Sequence, residues 1–254
     1  MHLIDCHILT LPRFPSQWVR EMRNDLDAEP VNQHWLPGIE GQLGDARAAG
    51  YAAGVAPFVT SADPDDRIMP GTYAALLQAL HDNPGAPFAW AGERLVDEHL
   101  EPWSIRGQVR EHVWPRGYDP ISHVCNGVHV HGVKLYRREV VMPLLDQMRE
   151  AGRCCEFMLD LAIVKPWTVR KSAHPLAKGG IPPIHPHLHK TVQLPSPTWP
   201  VHVPMVGRLW RQHRDNGFRD FKTSDFDRMA QGLGFETMNA LRDVVVRACS
   251  PTKA

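Results

Sequence analysis

The segment from Phe58 to Asp66, with the sequence FVTSADPDD, constrains the fold more than any other part of the chain. Its apolar first half is typical of a buried strand, and three carboxylates follow within four positions. From Pro70 to His81 apolar residues recur at helical spacing, and Pro70 suits a first helical turn. We therefore expect the carboxylates at the carboxyl end of a strand, the edge where open α/β sheets bind their ligands.

The carboxylates of Asp63, Asp65 and Asp66 allow two interpretations. Groups of like charge this close repel one another unless a cation or several hydrogen-bond donors neutralise them. One interpretation is a divalent metal site that holds a phosphorylated ligand. The other is an acidic helix N-terminus, where aspartates cap the first turn and interact favourably with the helix dipole. Spacing alone leaves both open.

Composition excludes few classes of protein. The chain of 254 residues has 28 basic and 28 acidic side chains, so no global charge indicates a nucleic-acid or membrane partner. Five cysteines, with Cys154 adjacent to Cys155, do not indicate a disulfide framework. No apolar run approaches the length of a membrane span, and Met1–Asp5 lacks the pattern of a signal peptide. We expect a cytoplasmic protein.

Hydrophobic periodicity predicts alternating strands and helices in the first two thirds of the chain. The predicted strands are 2–11, 30–35, 58–63, 88–95 and 127–136, and the predicted helices are 17–26, 45–53, 70–81 and 138–151. Seven prolines between 182 and 204 indicate an extended connector. After about 205 the sequence predicts a helical tail in two pieces, broken near 232–234. We expect a catalytic domain over 1–194 and an extension over 195–254.

The segment before the carboxylates carries a resemblance. An Ala-rich helix with Arg47 leads into the strand and then into Asp63-Pro64-Asp65-Asp66. This order resembles the glycosyltransferase family 2 type of GT-A fold, in which a helix with an Ala-Arg-Asn-like motif precedes a strand ending in Asp-x-Asp-Asp. The resemblance is close over 41–82 and looser to about 194. It implies an α/β fold, a GT-A-like Rossmann-type mixed sheet flanked by helices, here with a C-terminal helical tail.

The resemblance also implies a function, the transfer of a sugar from a nucleotide-sugar donor, with a UDP-sugar expected. A Mg²⁺ or Mn²⁺ ion would stabilise the departing diphosphate. Asp65 would bind the metal, Asp63 would contact the ribose or the donor sugar, and Asp66 would support that shell or bind the sugar. Arg47 would lie near the donor.

A second group of carboxylates comes later in the chain. Glu156 and Asp160 are four residues apart and share one face if this segment is helical. The family places an acidic residue here as the general base on the acceptor hydroxyl. Glu156 is our first candidate and Asp160 the second. Because a single displacement needs one base, the resemblance implies inversion.

Histidines form the third group. His185, His187 and His189 alternate with other residues in the connector, so an extended chain would place them on one side. The family supplies a late histidine to its metal site, and His189 stands where that residue is expected. A zinc site that includes Cys154 or Cys155 is a rival interpretation.

Other residues could line the pocket. His129 and His131 would share one face of the strand predicted at 127–136, and Trp103 and Trp114 could stack on a sugar or a base. The family's early Asp-Asp-Gly-Ser motif has no counterpart here, and Asp5 is the available substitute for nucleobase contact.

Two other functions remain open from the residues alone. The same carboxylates would serve a metal-dependent phosphohydrolase or nucleotidyltransferase, and the missing early motif would suit a binding protein with a degenerate transferase fold. For a transferase, the acceptor could be a protein, a glycan, a small molecule or a hydroxymethylated DNA base.

Overall fold

A computed structural model describes residues 2–114, 117–168, 199–212 and 221–249. Its strands are Ile4–Thr10 (β1), Val31–Pro37 (β2), Phe58–Ala62 (β3), Arg67–Ile68 (β4), Phe88–Val96 (β5), Ser104–Ile105 (β6), Gln108–Val109 (β7), Glu111–His112 (β8), Lys134–Arg137 (β9) and Val201–Arg211 (β10). Its α-helices are Ser16–Asp27 (α1), Leu43–Ala52 (α2), Thr72–Asp82 (α3), Pro120–Cys125 (α4), Arg138–Val141 (α5), Leu145–Ala151 (α6), Cys155–Val164 (α7), Thr223–Gly232 (α8) and Met238–Cys249 (α9).

Eight of these strands form one mixed sheet in the order β2-β1-β3-β9-β5-β10-β4, with β8 beside the far half of β5. Strands β1, β2 and β3 are parallel, and so are β5 and β10, whereas β9 runs antiparallel between β3 and β5. The five long strands β1, β2, β3, β5 and β10 therefore end at the same edge, which we call the carboxyl edge. The predicted α/β fold with a mixed sheet is confirmed.

Helices cover both faces of the sheet because each face is apolar. On one face α1 and α3 pack on β1 through a cluster that includes Met22, Leu26, Leu76 and Leu80. On the other, α2 and α7 pack against β5 and β9, and the same cluster includes Met229 of α8 and Leu241 of α9. The break in the tail occurs between α8 and α9 as predicted, and both of its helices belong to this core.

Two predicted elements are wrong. Residues 205–211 are not helical, because they belong to β10, which pairs with β5 inside the sheet. Pro204 argued against a strand here because proline has no N–H to donate to a neighbouring strand. In the structure it lies at a register shift between Val203 and Val206, where no such hydrogen bond is needed. The strand predicted at 127–136 is a 3₁₀ turn over Gly127–Val130 followed by β9, so His129 and His131 do not share a strand face.

Some predictions fall outside the described residues. The boundary between 194 and 195 is among them, as are His185, His187 and His189. Within the described ranges, no helix is long and apolar enough to cross a membrane.

Candidate functional site

The three aspartates lie at the carboxyl edge, as the sequence predicts. They follow β3 directly, and the N–H of Asp66 donates to the carbonyl of Asp63 at 2.9 Å, which closes a turn. The short strand β4 separates them from α3, so they do not cap that helix. Glu29 does so instead, because its carboxylate accepts hydrogen bonds from the N–H groups of Gly71 and Tyr73. The helix-cap interpretation is therefore wrong.

Arg47 joins the aspartates to the second group of carboxylates. Its side chain projects from α2 and is buried, with Nη2 2.5 Å from Oδ1 of Asp63 and Nε 3.2 Å from Oε1 of Glu156. Ser61 Oγ donates to the same oxygen of Glu156 at 3.1 Å. Three residues predicted separately thus lie together at one point of the edge.

The charge of Arg47 determines the protonation of Glu156. Burial alone would raise the pKa of this carboxyl, but Arg47 and, to a lesser extent, Lys134 lower it to about 2. Glu156 is therefore ionised and held in one orientation by an ion pair and a hydroxyl donor. It has the form that a proton acceptor needs.

Asp160 lies one turn further along α7 and is only 1% exposed. Lys134 Nζ donates to its Oδ2 at 2.8 Å, and the Tyr136 hydroxyl donates to its Oδ1 at 2.6 Å. Burial raises its pKa in spite of these donors. With both oxygens engaged below the surface, Asp160 supports the sheet beneath Glu156, and we assign it no part in proton transfer.

Asp66 is buried and contacts β10, which the sequence did not predict as a strand. Arg208 Nη1 lies 3.1 Å from Oδ2 of Asp66, and the N–H of Arg211 donates to its Oδ1 at 3.0 Å. Burial raises the pKa of Asp66 well above its usual range, and the nearby carboxylates of Asp65 and Asp63 raise it further. No local sequence signal marked these two arginines, because residues 205–211, MVGRLWR, do not alternate between polar and apolar side chains.

Asp63 and Asp65 are half-buried and reach the surface of the edge. Burial raises the pKa of Asp63, Arg47 opposes that shift, and the charge of Asp65 adds to it. Burial is the larger cause of both raised pKa values, those of Asp63 and Asp66, and the neighbouring carboxylates add to it, so the ionised forms of these two groups are disfavoured at this edge.

The fit to a divalent cation rests on Asp65. Asp65 reaches the surface of the edge, and its carboxylate is a hard oxygen donor of the kind that a divalent cation prefers. Among the residues that the structure describes, no three His, Cys, Asp or Glu side chains group as a metal site. In the described part of the chain, Asp65 is therefore our candidate ligand for such an ion.

Asp5 lies at the opposite edge, near the start of β1. Its carboxylate accepts hydrogen bonds from Asn32, His34, Arg138 and the N–H of Ala56. The prediction that it substitutes for a nucleobase contact is therefore wrong.

Comparisons with known proteins bear on the fold. No protein-family model matches the sequence, and no curated protein matches it. Among solved structures, the chain is similar to residues 1–349 of S. aureus TarS in complex with UDP, with a TM-score of 0.56 and 10% identity over 97% of this chain and 70% of that one. The same protein in complex with UDP-GlcNAc gives a TM-score of 0.54 and 11% identity over 97% and 71%. In another crystal structure of TarS 1–349 the match has a TM-score of 0.46 and 12% identity, and it covers 65% of this chain and 56% of that one, less than two thirds of its length. Identities this low speak for a shared fold, and the chain has the GT-A-like fold of glycosyltransferases.

Proposed function

We propose that this protein transfers a sugar from a nucleotide-sugar donor to an acceptor hydroxyl, with a UDP-sugar as donor. One observation carries the proposal, the meeting of Arg47, Asp63 and Glu156 at the carboxyl edge of a GT-A-like sheet. The similar structures of TarS with UDP and with UDP-GlcNAc support the choice of donor.

The charge at this edge supports a divalent cation as cofactor, Mn²⁺ or Mg²⁺. In the described residues, the carboxylates of Asp63, Asp65, Asp66 and Glu156 lie close enough to act on one another, and the neighbouring cations are Arg47, Arg208 and Lys134. These carboxylates would repel a diphosphate unless a cation neutralised them. When bound, such an ion acts as a Lewis acid that stabilises the leaving diphosphate, and Asp65 would hold it.

The chain's own residues supply the remaining steps. Arg47 orients Asp63 toward the donor and keeps Glu156 ionised. Glu156 takes the proton of the acceptor hydroxyl as its oxygen bonds to the anomeric carbon and the bond to the diphosphate breaks. One proton acceptor on the side opposite the leaving group gives inversion at that carbon.

The test is release of UDP from UDP-GlcNAc and UDP-glucose, with Mn²⁺ and with EDTA. We expect release that depends on Mn²⁺ and falls at least about 100-fold in Asp65→Asn, because the variant loses an electrostatic contact at the leaving group. Asp82→Asn, at an exposed carboxylate on α3, is the matched control and should retain full activity.

Two results would overturn the proposal. Hydrolysis of plain nucleoside triphosphates that is lost in Asp65→Asn, without turnover of nucleotide-sugars, would assign the site to phosphoryl transfer. A thermal shift with UDP in the absence of any turnover would assign it to binding alone.

A further inference from the structure

A buried glutamate organises a second group of side chains beside the aspartates. Glu93 on β5 is fully buried and receives His112 Nδ1 and His131 Nδ1, each at 2.9 Å from Oε1. Arg208 binds its other oxygen, with Nε at 3.1 Å from Oε2. Burial alone would raise the pKa of Glu93, but His131 and Arg208 hold it well below its usual range.

The charge of Glu93 fixes the state of His112. An ionised carboxylate can only accept hydrogen bonds, so the Nδ1 of His112 must carry the proton. In the neutral ring Nε2 is then unprotonated and can accept a hydrogen bond from a hydroxyl group. The side chain of His112 is 22% exposed, so a ligand at the surface can contact part of it.

Two indole rings flank the imidazoles. The ring of Trp114 is nearly parallel to that of His112, at 11° and with centroids 6.4 Å apart, and the Trp210 ring lies 4.5 Å from that of His131. All four residues are half-buried, so each reaches the surface in part. Gly132 makes the arrangement possible, since a Cβ there would lie 2.0 Å from the carbonyl oxygen of Ala91 on β5.

A single side chain, that of Arg208, connects Glu93 and its histidines to the aspartates. Arg208 bridges Glu93 and Asp66, with Nη1 3.1 Å from Oδ2 of Asp66. The two groups thus share the carboxyl edge and one guanidinium. A ligand that contacts the imidazoles would lie next to a donor held at Asp63 and Asp65.

We propose that His112, Trp114, His131 and Trp210 form a subsite for a pyranose ring, the acceptor of the transfer. Indole faces pack on the apolar C–H face of a sugar ring, while His112 Nε2 accepts a hydrogen bond from one of its hydroxyls. Glu93 is the positioning residue that holds both imidazoles. This inference rests on the function proposed above, and it selects a glycan or a glycoside from the possible acceptors.

The test is saturation-transfer NMR on the intact protein with UDP present, using methyl β-glucopyranoside and methyl α-mannopyranoside at millimolar concentration, with glycerol as the probe that lacks a ring. We expect saturation of the ring C–H signals of the glycosides and none for glycerol. His112→Asn keeps a donor toward Glu93 but loses the Nε2 position, so binding should weaken about fivefold, the usual value of one hydrogen bond. His112→Gln, whose amide reaches the Nε2 position, should restore part of it.

A tryptophan pair supplies the second control. Trp210→Leu should abolish glycoside saturation, and Trp103→Leu, at a tryptophan 38% exposed outside this group, should leave it unchanged. Equal binding in all variants, or no glycoside signal while UDP release from UDP-GlcNAc is intact, would overturn the subsite alone. Glycoside binding without UDP release would support the subsite and overturn the transfer.

Discussion

The two edges of the sheet each contain buried aspartates, and the aspartates behave in opposite ways. At the amino edge, Asp5 is 5% exposed and each of its oxygens accepts two hydrogen bonds, one from Arg138 Nη2 at 2.7 Å. Burial would raise its pKa, yet the donors lower it below the usual value. At the carboxyl edge burial and neighbouring carboxylates raise the pKa values of Asp63 and Asp66.

The difference separates Asp5, which has a structural role, from Asp63 and Asp66, which belong to the candidate site. Asp5 ties β1, β2 and the loop before β3 together, and its charge is balanced within the protein. At the carboxyl edge the ionised forms of Asp63 and Asp66 are disfavoured, which costs stability and would suit the cation proposed above. The comparison predicts that substitutions at the two edges should affect stability and activity in different proportions.

The largest effect on stability should come from Arg138→Met. Its guanidinium binds Asp5 and the carbonyl oxygens of Tyr51, Ala53 and Ala56. Its loss would remove the cation that pairs with the buried Asp5 carboxylate and one donor from each of the three carbonyl groups. We expect unfolding to become easier by about 3–5 kcal/mol in urea denaturation. Arg13→Met, which removes an exposed ion pair with Glu40, should cost less than about 0.5 kcal/mol. Equal costs would show that the amino edge is not the structural one.

A second comparison uses one substitution at both edges. Asp5→Asn removes a charge that four donors stabilise and should cost about 2 kcal/mol. Asp66→Asn removes a charge that the folded protein disfavours and should cost less than about 1 kcal/mol. Denaturant midpoints with matched slopes measure both. A larger cost at Asp66 would contradict the proposed charge imbalance at the carboxyl edge.

The sequence predicted the first five long elements well because each has a clear hydrophobic period bounded by Gly or Pro. Through the resemblance it nominated Arg47 and Asp63 separately as residues near the donor, and their ion pair appeared only in the structure. Glu156 could be nominated from its place after a helix, through the resemblance. These signals depend only on residues that are close together in the sequence, so they can be recognised without the structure.

What the sequence missed depends on contacts between distant residues. Glu93 and Arg208 pair across 115 positions, and β10 could be recognised only from its partner β5. Prolines that usually mark a connector are tolerated in β10 where its ladder is irregular. The sequence did not reveal Glu29 as the cap of α3 for the same reason. Glu29 lies 42 residues before Gly71 and 44 before Tyr73, whose N–H groups it binds.

The smallest effect is a change in the pH dependence of stability without added cation. The folded pKa of Asp66 is raised above the ordinary value of 3.8, so between the two pKa values the folded protein holds a proton that the unfolded chain has released. The contribution of Asp66 to stability is therefore greatest below pH 3.8 and is lost as the pH rises through the folded pKa. The loss is about 1.4 kcal/mol for every tenfold difference between the acid dissociation constants of Asp66 in the folded and the unfolded protein. Asp66→Asn cannot titrate, so its melting temperature should fall less than that of the wild type as the pH rises above 3.8. Asp5 shifts the other way and loses its contribution as the pH falls, so Asp5→Asn should flatten the acid side of the profile instead. Parallel profiles for wild type and Asp66→Asn would mean that the carboxyl edge is as well balanced as the amino edge.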